Sequence, residues 1–374
     1  ISSLFKDKQK IFLANTNPAV ENLRRKVTAE HAEFVTITKF LSKDVSNDCD
    51  ILCLDECSTI SNRDMVRVLQ RAQCKLLVLV GDIYQIESIL FGNWFNIAYK
   101  VMPKDSVAEL TRPHRTTVQG LIEVWNKVRE ITEDRLEFIT RNGLSSTLDE
   151  SIFSRTEEDE IVLCLNYDGI YGINNINKFL QSNNVNPSIN WGVLSYKVGD
   201  PVLFNESNRF APLVYNNLKG KILQIEEEED CIYFTIEVYT VLNELDVIGF
   251  DLELKESVTD ETSVIRFKVG RGGDGNDDND NVENVVPFQV AYAISIHKAQ
   301  GLEYESVKVV ITSEIEEMVS HNIFYTAITR AKSKLKIYWS PETEKRILEN
   351  MKVQFNDKDY QLFKAKYKEA LLKS

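Results

Sequence analysis

Three short, unbroken apolar runs, residues 11–14 (IFLA), 51–54 (ILCL) and 76–80 (LLVLV), constrain the fold of this chain more than any other feature. A run of four or five apolar residues without alternation marks a parallel strand covered on both faces, and helical patterns lie between the runs. An α/β domain built on a parallel sheet is the expected result. Each run ends in polar residues: Asn15-Thr16-Asn17, Asp55-Glu56 and Gly81-Asp82. Ligands of open α/β sheets bind at the carboxyl ends of the strands, so these residues should converge on one crevice.

A second set of runs at 161–165, 307–311 and 335–338, again with helices between, predicts a second α/β domain. From about residue 190 to 269 the texture changes. Residues 232–238 and 264–269 alternate with period two, and Asn216-Asn217 and Lys219-Gly220 carry turn chemistry. This stretch reads as a small β-rich module inserted in the second domain, and the Gly/Asp/Asn tract at 270–284 reads as a flexible acidic loop. The expected division is therefore 1–109 for the first domain, 110–189 with 285–374 for the second, 190–269 for the insertion and 270–284 for the loop. Ser340-Pro341-Glu342 predicts a helix start, with serine as cap and proline at the first position. With 374 residues, 43% of them hydrophobic, the chain is large enough for these several cores.

Composition narrows the function. A net charge of −13 argues against a protein that coats nucleic acid indiscriminately, but acid concentrated at 226–230 and 274–280 leaves room for a basic groove elsewhere. There is no apolar run of about 18 residues, no signal-peptide pattern and no lipidation motif, so no membrane association and a cytoplasmic location are expected. Cys49, Cys53 and Cys57 lie in or beside an apolar strand whose alternation sends neighbours to opposite faces, which argues against a metal cluster.

Chemistry concentrates at the strand ends. Asp55-Glu56 after an apolar strand is a Walker B arrangement, in which the first carboxylate holds magnesium and the second orients or deprotonates a water. The plainer alternative is a solvated strand end. Gly81-Asp82-Ile83-Tyr84-Gln85 strengthens the functional reading, since a neighbouring strand ends in another acid followed by an amide able to sense a terminal phosphate. Arginine supplies a planar fork that matches phosphate oxygens, and Arg115 and Arg330 are the candidates for the charge that develops on a transferred phosphoryl group.

The order of these segments resembles superfamily 1 helicases of the RecD-like type, with a UvrD-like C-terminal part. Leu13-Ala14-Asn15-Thr16-Asn17-Pro18-Ala19-Val20-Glu21-Asn22-Leu23 looks like motif Ia and Thr36-Ile37-Thr38-Lys39-Phe40-Leu41 like motif Ib. Leu54-Asp55-Glu56-Cys57-Ser58 is similar to motif II, Gly81-Asp82-Ile83-Tyr84-Gln85-Ile86 to motif III, and Leu110-Thr111-Arg112-Pro113-His114-Arg115 to motif IV. Ser295-Ile296-His297-Lys298-Ala299-Gln300-Gly301-Leu302-Glu303 resembles motif V, and Tyr325-Thr326-Ala327-Ile328-Thr329-Arg330-Ala331-Lys332 motif VI. Val198-Gly199-Asp200-Pro201-Val202 followed by Asn216-Asn217-Leu218-Lys219-Gly220 looks like the SH3-like insertion of RecD-like enzymes.

The resemblance implies two RecA-like parallel-sheet domains of the P-loop NTPase fold and an ATP-dependent helicase that moves 5′ to 3′ on single-stranded DNA, with ATP and Mg2+ as cofactors. It gives Asp55 the magnesium, Glu56 the water, Gln85 the γ-phosphate, and Arg115 and Arg330 the transition-state charge. Gly301 and Glu303 fall to the nucleotide, Glu303 reaching its ribose. Asn15, Thr16, Asn17, Thr36 and His297 fall along the single strand. Motif Ia is closer in wording to the branch holding RNA-surveillance and Okazaki-fragment helicases, which keeps RNA as an alternative partner. A nucleic-acid-binding or regulatory module without hydrolysis and a defence-system ATPase are the other readings, and protein partners are not legible.

Other features point away from decoys or to departures. Gly270-Arg271-Gly272-Gly273-Asp274-Gly275 satisfies a dinucleotide-binding pattern but runs into acids, and Asp274, Asn276 and Asp278 begin a calcium loop that lacks its glycine and closing glutamate. Only residues 42–50 stand where RecD-like enzymes insert a pin, so a wedge there is expected to be absent or vestigial. Ile1, Leu4 and Phe5 have helical spacing, so residues 1–7 read as a helix tail whose phosphate-binding loop would lie upstream. The expectation is that these 374 residues alone lack that Walker A loop, bind ATP poorly and hydrolyse it at background rate.

Overall fold

A computed structural model describes the whole chain except residues 1–3, 43–46, 88–91, 111–112, 114, 206–208, 212, 258, 272–283, 353–356 and 372–374. Residues 272–283, which hold most of both decoy motifs, Ile1, residues 43–46 before motif II, and Thr111, Arg112 and His114 of motif IV lie outside the described residues. Contacts divide the chain into two compact units, residues 1–145, 316–334 and 341–374 in one and residues 146–315 and 335–340 in the other.

The first unit opens with four parallel strands, the three expected, β1 (Lys10–Ala14), β3 (Asp48–Leu54) and β4 (Gln73–Leu79), and one not foreseen, β2 (Ala32–Thr36), in the order β2-β1-β3-β4. β1 is covered on both faces: Ile11 and Leu13 join one apolar cluster with Phe40 and Leu52, while Phe12 stacks on Phe34 with ring centroids 4.9 Å apart. The third run departs from expectation. Among the described residues β4 is paired on one side only, by β3, and Leu76 on it is 41% exposed. The helices α1 (Asn17–Lys26), α2 (Ile37–Leu41) and α3 (Asn62–Arg71) start at Thr16, Thr36 and Ser61, whose hydroxyls accept backbone N–H groups otherwise left unpaired. Later in the chain come α4 (Trp94–Val101), α5 (Gln119–Glu130) and α6 (Arg135–Arg141). Among the described residues of the expected helix tail, 4–7 are turn or irregular and not helical, and Leu4 is exposed.

The second unit holds a five-stranded sheet and the inserted module. In chain order these elements are β5 (Ser145–Ser146), β6 (Glu160–Cys164), α7 (Ile173–Ser182), β7 (Ser188–Trp191), β8 (Leu194–Lys197), β9 (Pro201–Phe204), β10 (Lys219–Glu227), β11 (Cys231–Val238), β12 (Glu253–Lys255), β13 (Ser263–Gly270), β14 (Phe288–Val290), β15 (Ala293–Ser295) and β16 (Tyr304–Val310). The chain then runs through α8 (His321–Ile328), β17 (Ala331–Tyr338), α9 (Pro341–Asn350) and α10 (Asp357–Leu371), of which the three helices belong to the first unit. The sheet order is β15-β6-β16-β17-β5, with β15 and β16 both parallel to β6. β6 is buried along its whole length, as its unbroken apolar run predicts.

The inserted module is a six-stranded sheet, β12-β13-β11-β10-β9-β14, in which every paired neighbour is antiparallel. β11 alternates buried and half-buried positions along its length, and Phe204, Phe210, Phe234, Phe267 and Phe288 pack its core. Two details differ from the sequence reading. Asn217 makes the turn, with φ +67°, whereas Lys219 and Gly220 already belong to β10, where Gly220 sits so close to the Glu237 carbonyl and the Ile236 and Val202 side chains that no larger residue fits. The sheet also takes in Phe288–Val290, beyond the 190–269 span, through pairing with β9.

Candidate functional site

β3 delivers the first two candidate residues. Asp55 N donates to Leu13 O at 2.8 Å and Val80 N to Leu54 O at 2.8 Å, so the strand ends stay in register with both neighbours as far as Asp55. Glu56 then turns sharply out of the sheet with φ 51° and ψ 42°, a left-handed conformation that a residue with a side chain adopts only when its surroundings impose it. Asp55 Oδ1 accepts the Glu56 N–H at 2.9 Å, and Cys57 N donates to Val80 O at 2.9 Å, which locks the turn to β4. Gly81 follows there because a Cβ would lie 2.8 Å from the Phe95 ring and 3.0 Å from Cys57 N.

Beyond Gly81 the loop docks on α8. Ile86 N donates to Thr326 Oγ1 at 3.0 Å and Asn322 Nδ2 to Gln85 O at 2.7 Å. The Tyr84 ring meets His321 and Tyr325 edge-on at 6.1 Å, with the Arg129 guanidinium 5.9 Å from its centroid. Asp82 Oδ1 accepts Tyr84 N at 2.9 Å, and its other oxygen holds Gln85 Nε2 at 3.5 Å. Gln85 is thus fixed by its backbone and aimed by Asp82.

Arg330 follows α8 and is 1% exposed. Its Nε donates to Thr326 O at 3.0 Å, and Arg115 donates through Nη1 to Thr329 O. Both guanidiniums act on Glu56. Burial first, and the Arg115 charge second, pull the Arg330 pKa down to about 9. Burial first, and the Asp55 charge second, raise Glu56 above the usual carboxylate range against the opposing pull of Arg330 and Arg115. Asp55 is raised by burial as well. Asp55, Glu56, Gln85, Arg115 and Arg330 therefore all belong to the first unit, and the two arginines share one acid with each other's charge nearby.

Such a set fits a nucleotide phosphate with a divalent ion. Two like-charged guanidiniums beside each other gain from an anion, and two carboxylates held partly out of water gain from a cation. A magnesium ion held through one or two carboxylates and the phosphates of the substrate requires no all-protein cage.

The remaining candidates lie at other strand ends. Asn15, Thr16 and Asn17 are exposed at the end of β1, with Asn15 Nδ2 donating to Thr59 O at 3.0 Å, while Thr36 is half-buried at the end of β2. Thr16 and Thr36 spend their hydroxyls as helix caps. In the second unit His297 is exposed just past β15, Gly301 takes φ +75°, and Glu303 is half-buried with its carbonyl accepting Lys219 Nζ at 3.2 Å. Arg129, Asn322 and Thr326, which hold the Tyr84–Gln85 loop, were not singled out in sequence. Asn322 and Thr326 fall four apart on α8, a spacing that puts both on one face.

Known proteins resemble the chain at both ends. A model described as an AAA domain matches residues 6–149, and one described as a UvrD-like helicase C-terminal domain matches residues 290–338. The RecD subunit of the RecBCD enzyme of Mycolicibacterium smegmatis is 22% identical over 336 residues, 82% of this chain and 52% of that protein. These matches support a superfamily 1 helicase of the RecD-like type. An uncharacterized protein of Methanocaldococcus jannaschii is 24% identical over 354 residues, 79% of this chain and 29% of that one. The chain thus spans from under a third to about half the length of these two relatives. A solved structure of two coordinating Pif1 helicases, described as a basis for DNA unwinding at forked duplexes, superposes with a TM-score of 0.52 at 16% identity, covering 97% of this chain and 89% of that one. The shared fold is the RecA-like P-loop NTPase fold, with two parallel-sheet domains. No helix among the described residues is long and apolar enough to cross a membrane.

Proposed function

We propose that this chain is motor core of an ATP-dependent helicase or translocase that couples hydrolysis to 5′-to-3′ movement on single-stranded DNA. The observation that carries the proposal is the cluster of Asp55, Glu56, Gln85, Arg115 and Arg330, with a fully buried arginine beside a second arginine and a strained acid. Phosphoryl transfer demands little covalent chemistry from the protein and much positioning and charge, and this is what the cluster offers. Asp55 would hold Mg2+, which supplies charge neutralisation across the phosphates. Glu56 orients and accepts a proton from the attacking water, Gln85 meets the γ-phosphate, and Arg115 and Arg330 take up the charge that develops on it. Glu303, set by the Gly301 turn, meets the ribose.

In this reading residues 1–109 form one motor domain and residues 110–189 with 285–374 the other, interrupted by an SH3-like insertion at 190–269. Asn15, Thr16, Asn17, Thr36 and His297 line the path of the strand. Their contacts are to backbone and base faces rather than base edges, because a motor must step over any sequence. The test is ATP turnover, with and without single strands of random sequence, by the protein carrying this chain and by its Glu56→Gln variant. Turnover stimulated by single strands and abolished by the substitution is expected, with strand affinity falling as salt rises. Robust turnover that survives Glu56→Gln would overturn the assignment. Unwinding of tailed duplexes settles direction, and DNA against RNA strands settles the substrate.

A further inference from the structure

A charged pair links the inserted module to the segment that carries Glu303. Lys219, the first residue of β10, sends its ammonium to Asp159 Oδ1 at 2.6 Å and to Glu303 O at 3.2 Å. The same ammonium lies 4.1 Å from the centroid of the Tyr304 ring and 5.1 Å from that of Tyr239. Asp159 holds the next two residues: its Oδ2 accepts Glu305 N at 3.2 Å and its carbonyl accepts Ser306 N at 3.1 Å. Four consecutive residues, 303 to 306, are therefore gripped by an ion pair with one partner in the insertion and the other just before β6.

The surroundings confine this pair. Lys219 and Asp159 line a cavity of about 460 Å3 together with Tyr239, Tyr304 and Arg155, so the ions are confined without being fully stripped of water. Their side chains remain 19% and 27% exposed. A pair of this kind escapes most of the desolvation cost of a deep one yet loses less to screening than a surface pair. The Tyr faces restrict the ammonium further through their negative quadrupoles.

We propose that Lys219 is a positioning residue for Glu303, tying the inserted module to the nucleotide contact through the Glu303 carbonyl and the Tyr304 ring. The proposal rests on the reading that Glu303 meets the nucleotide. Lys219 itself touches no substrate. Lys219→Met keeps the aliphatic stem against Tyr304 and removes the charge, so the grip on residues 303–306 loosens while the cores stay filled.

Two measurements test it. Hydrogen exchange of the protein without nucleotide should speed up at residues 303–306 by about fivefold or more in Lys219→Met, and in no other segment of the second unit. In the ATPase assay KM for ATP should rise by about three- to tenfold with kcat within about twofold, Lys219→Arg restoring it and Asp159→Asn reproducing it. Lys221→Met, which breaks the neighbouring pair with Glu158 on the same strand, should change neither. Adding Lys219→Met to Glu303→Ala should raise KM no further. Unchanged exchange at 303–306, or a KM rise that adds to that of Glu303→Ala, would overturn the proposal. A silent Glu303→Ala would instead bring down the nucleotide role of Glu303, while the exchange comparison still decides whether Lys219 holds the segment.

Discussion

Asp200 in the second unit and Glu56 in the first are both acids taken out of bulk water, and they are treated in opposite ways. Asp200 is fully buried at the turn before β9, and its carboxylate accepts from Gln181 Nε2 at 2.6 Å, Asn184 Nδ2 at 2.9 Å, Lys197 N at 2.9 Å and the Tyr292 hydroxyl at 2.8 Å. Those donors come from α7, the segment just after it, the hairpin strand β8 and the link between β14 and β15, so one acid ties together the segments that flank the insertion. Glu56 has a left-handed backbone, a neighbouring acid and two arginines, one of them itself held at a pKa of about 9. A buried charge surrounded by fixed donors is a structural fastening, whereas buried charges that oppose one another are stable only because the fold over-determines them. The contrast separates scaffold from site without reference to any relative.

The largest effect that would sharpen this contrast is on turnover. Glu56→Gln should lower kcat by about 10³-fold or more while leaving the thermal midpoint of the first unit unchanged or raised, since burial and Asp55 already disfavour the ionised acid. A large loss of stability with turnover retained would make Glu56 the fastening. Next in size, Asp200→Ala should destabilise the second unit by about 2–4 kcal/mol, because it strips four donors of their acceptor, with little change in strand-stimulated turnover at temperatures where the unit is folded. Chemical denaturation of the two variants side by side reads both outcomes.

A smaller effect concerns pH. His321 on α8 is buried against the Tyr84 loop, its Nε2 2.8 Å from Val128 O, and burial lowers its pKa from 6.5. The unfolded chain therefore binds the proton more readily than the folded one. Stability from the neutral ring is complete above pH 6.5 and is lost as pH falls through the depressed folded value. Melting of the first unit should drop on acidification below pH 6.5, and His321→Gln should flatten that drop. An unchanged slope in the variant would show that carboxylates, and not this histidine, set the acid limit.

Much of the architecture follows from local pattern. The unbroken runs at 11–14 and 51–54 and the alternation at 232–238 and 264–269 encode β1, β3, β11 and β13, because burial on two faces or on one leaves a distinct period in the chain. The caps at Thr16, Thr36 and Ser61 are equally local. Turn chemistry was a poorer guide. Asn217 turns, but Lys219-Gly220 does not, since glycine there answers to the crowding of β9 and β11 rather than to backbone freedom.

What the sequence determined by itself was the inventory: which strands exist, and that acids, an amide and two arginines stand at or near their ends in the order of a helicase family. Only the tertiary structure decided that Arg115 and Arg330, respectively 59 and 274 positions after Glu56, act on that one acid, and that Asn322 and Thr326 fasten the loop bearing Gln85. Those pairings depend on burial and on long-range packing, which leave no period in the chain. A guanidinium bound for the surface and one bound for a buried acid are written with the same letter, and only the fold removes the water that makes them different.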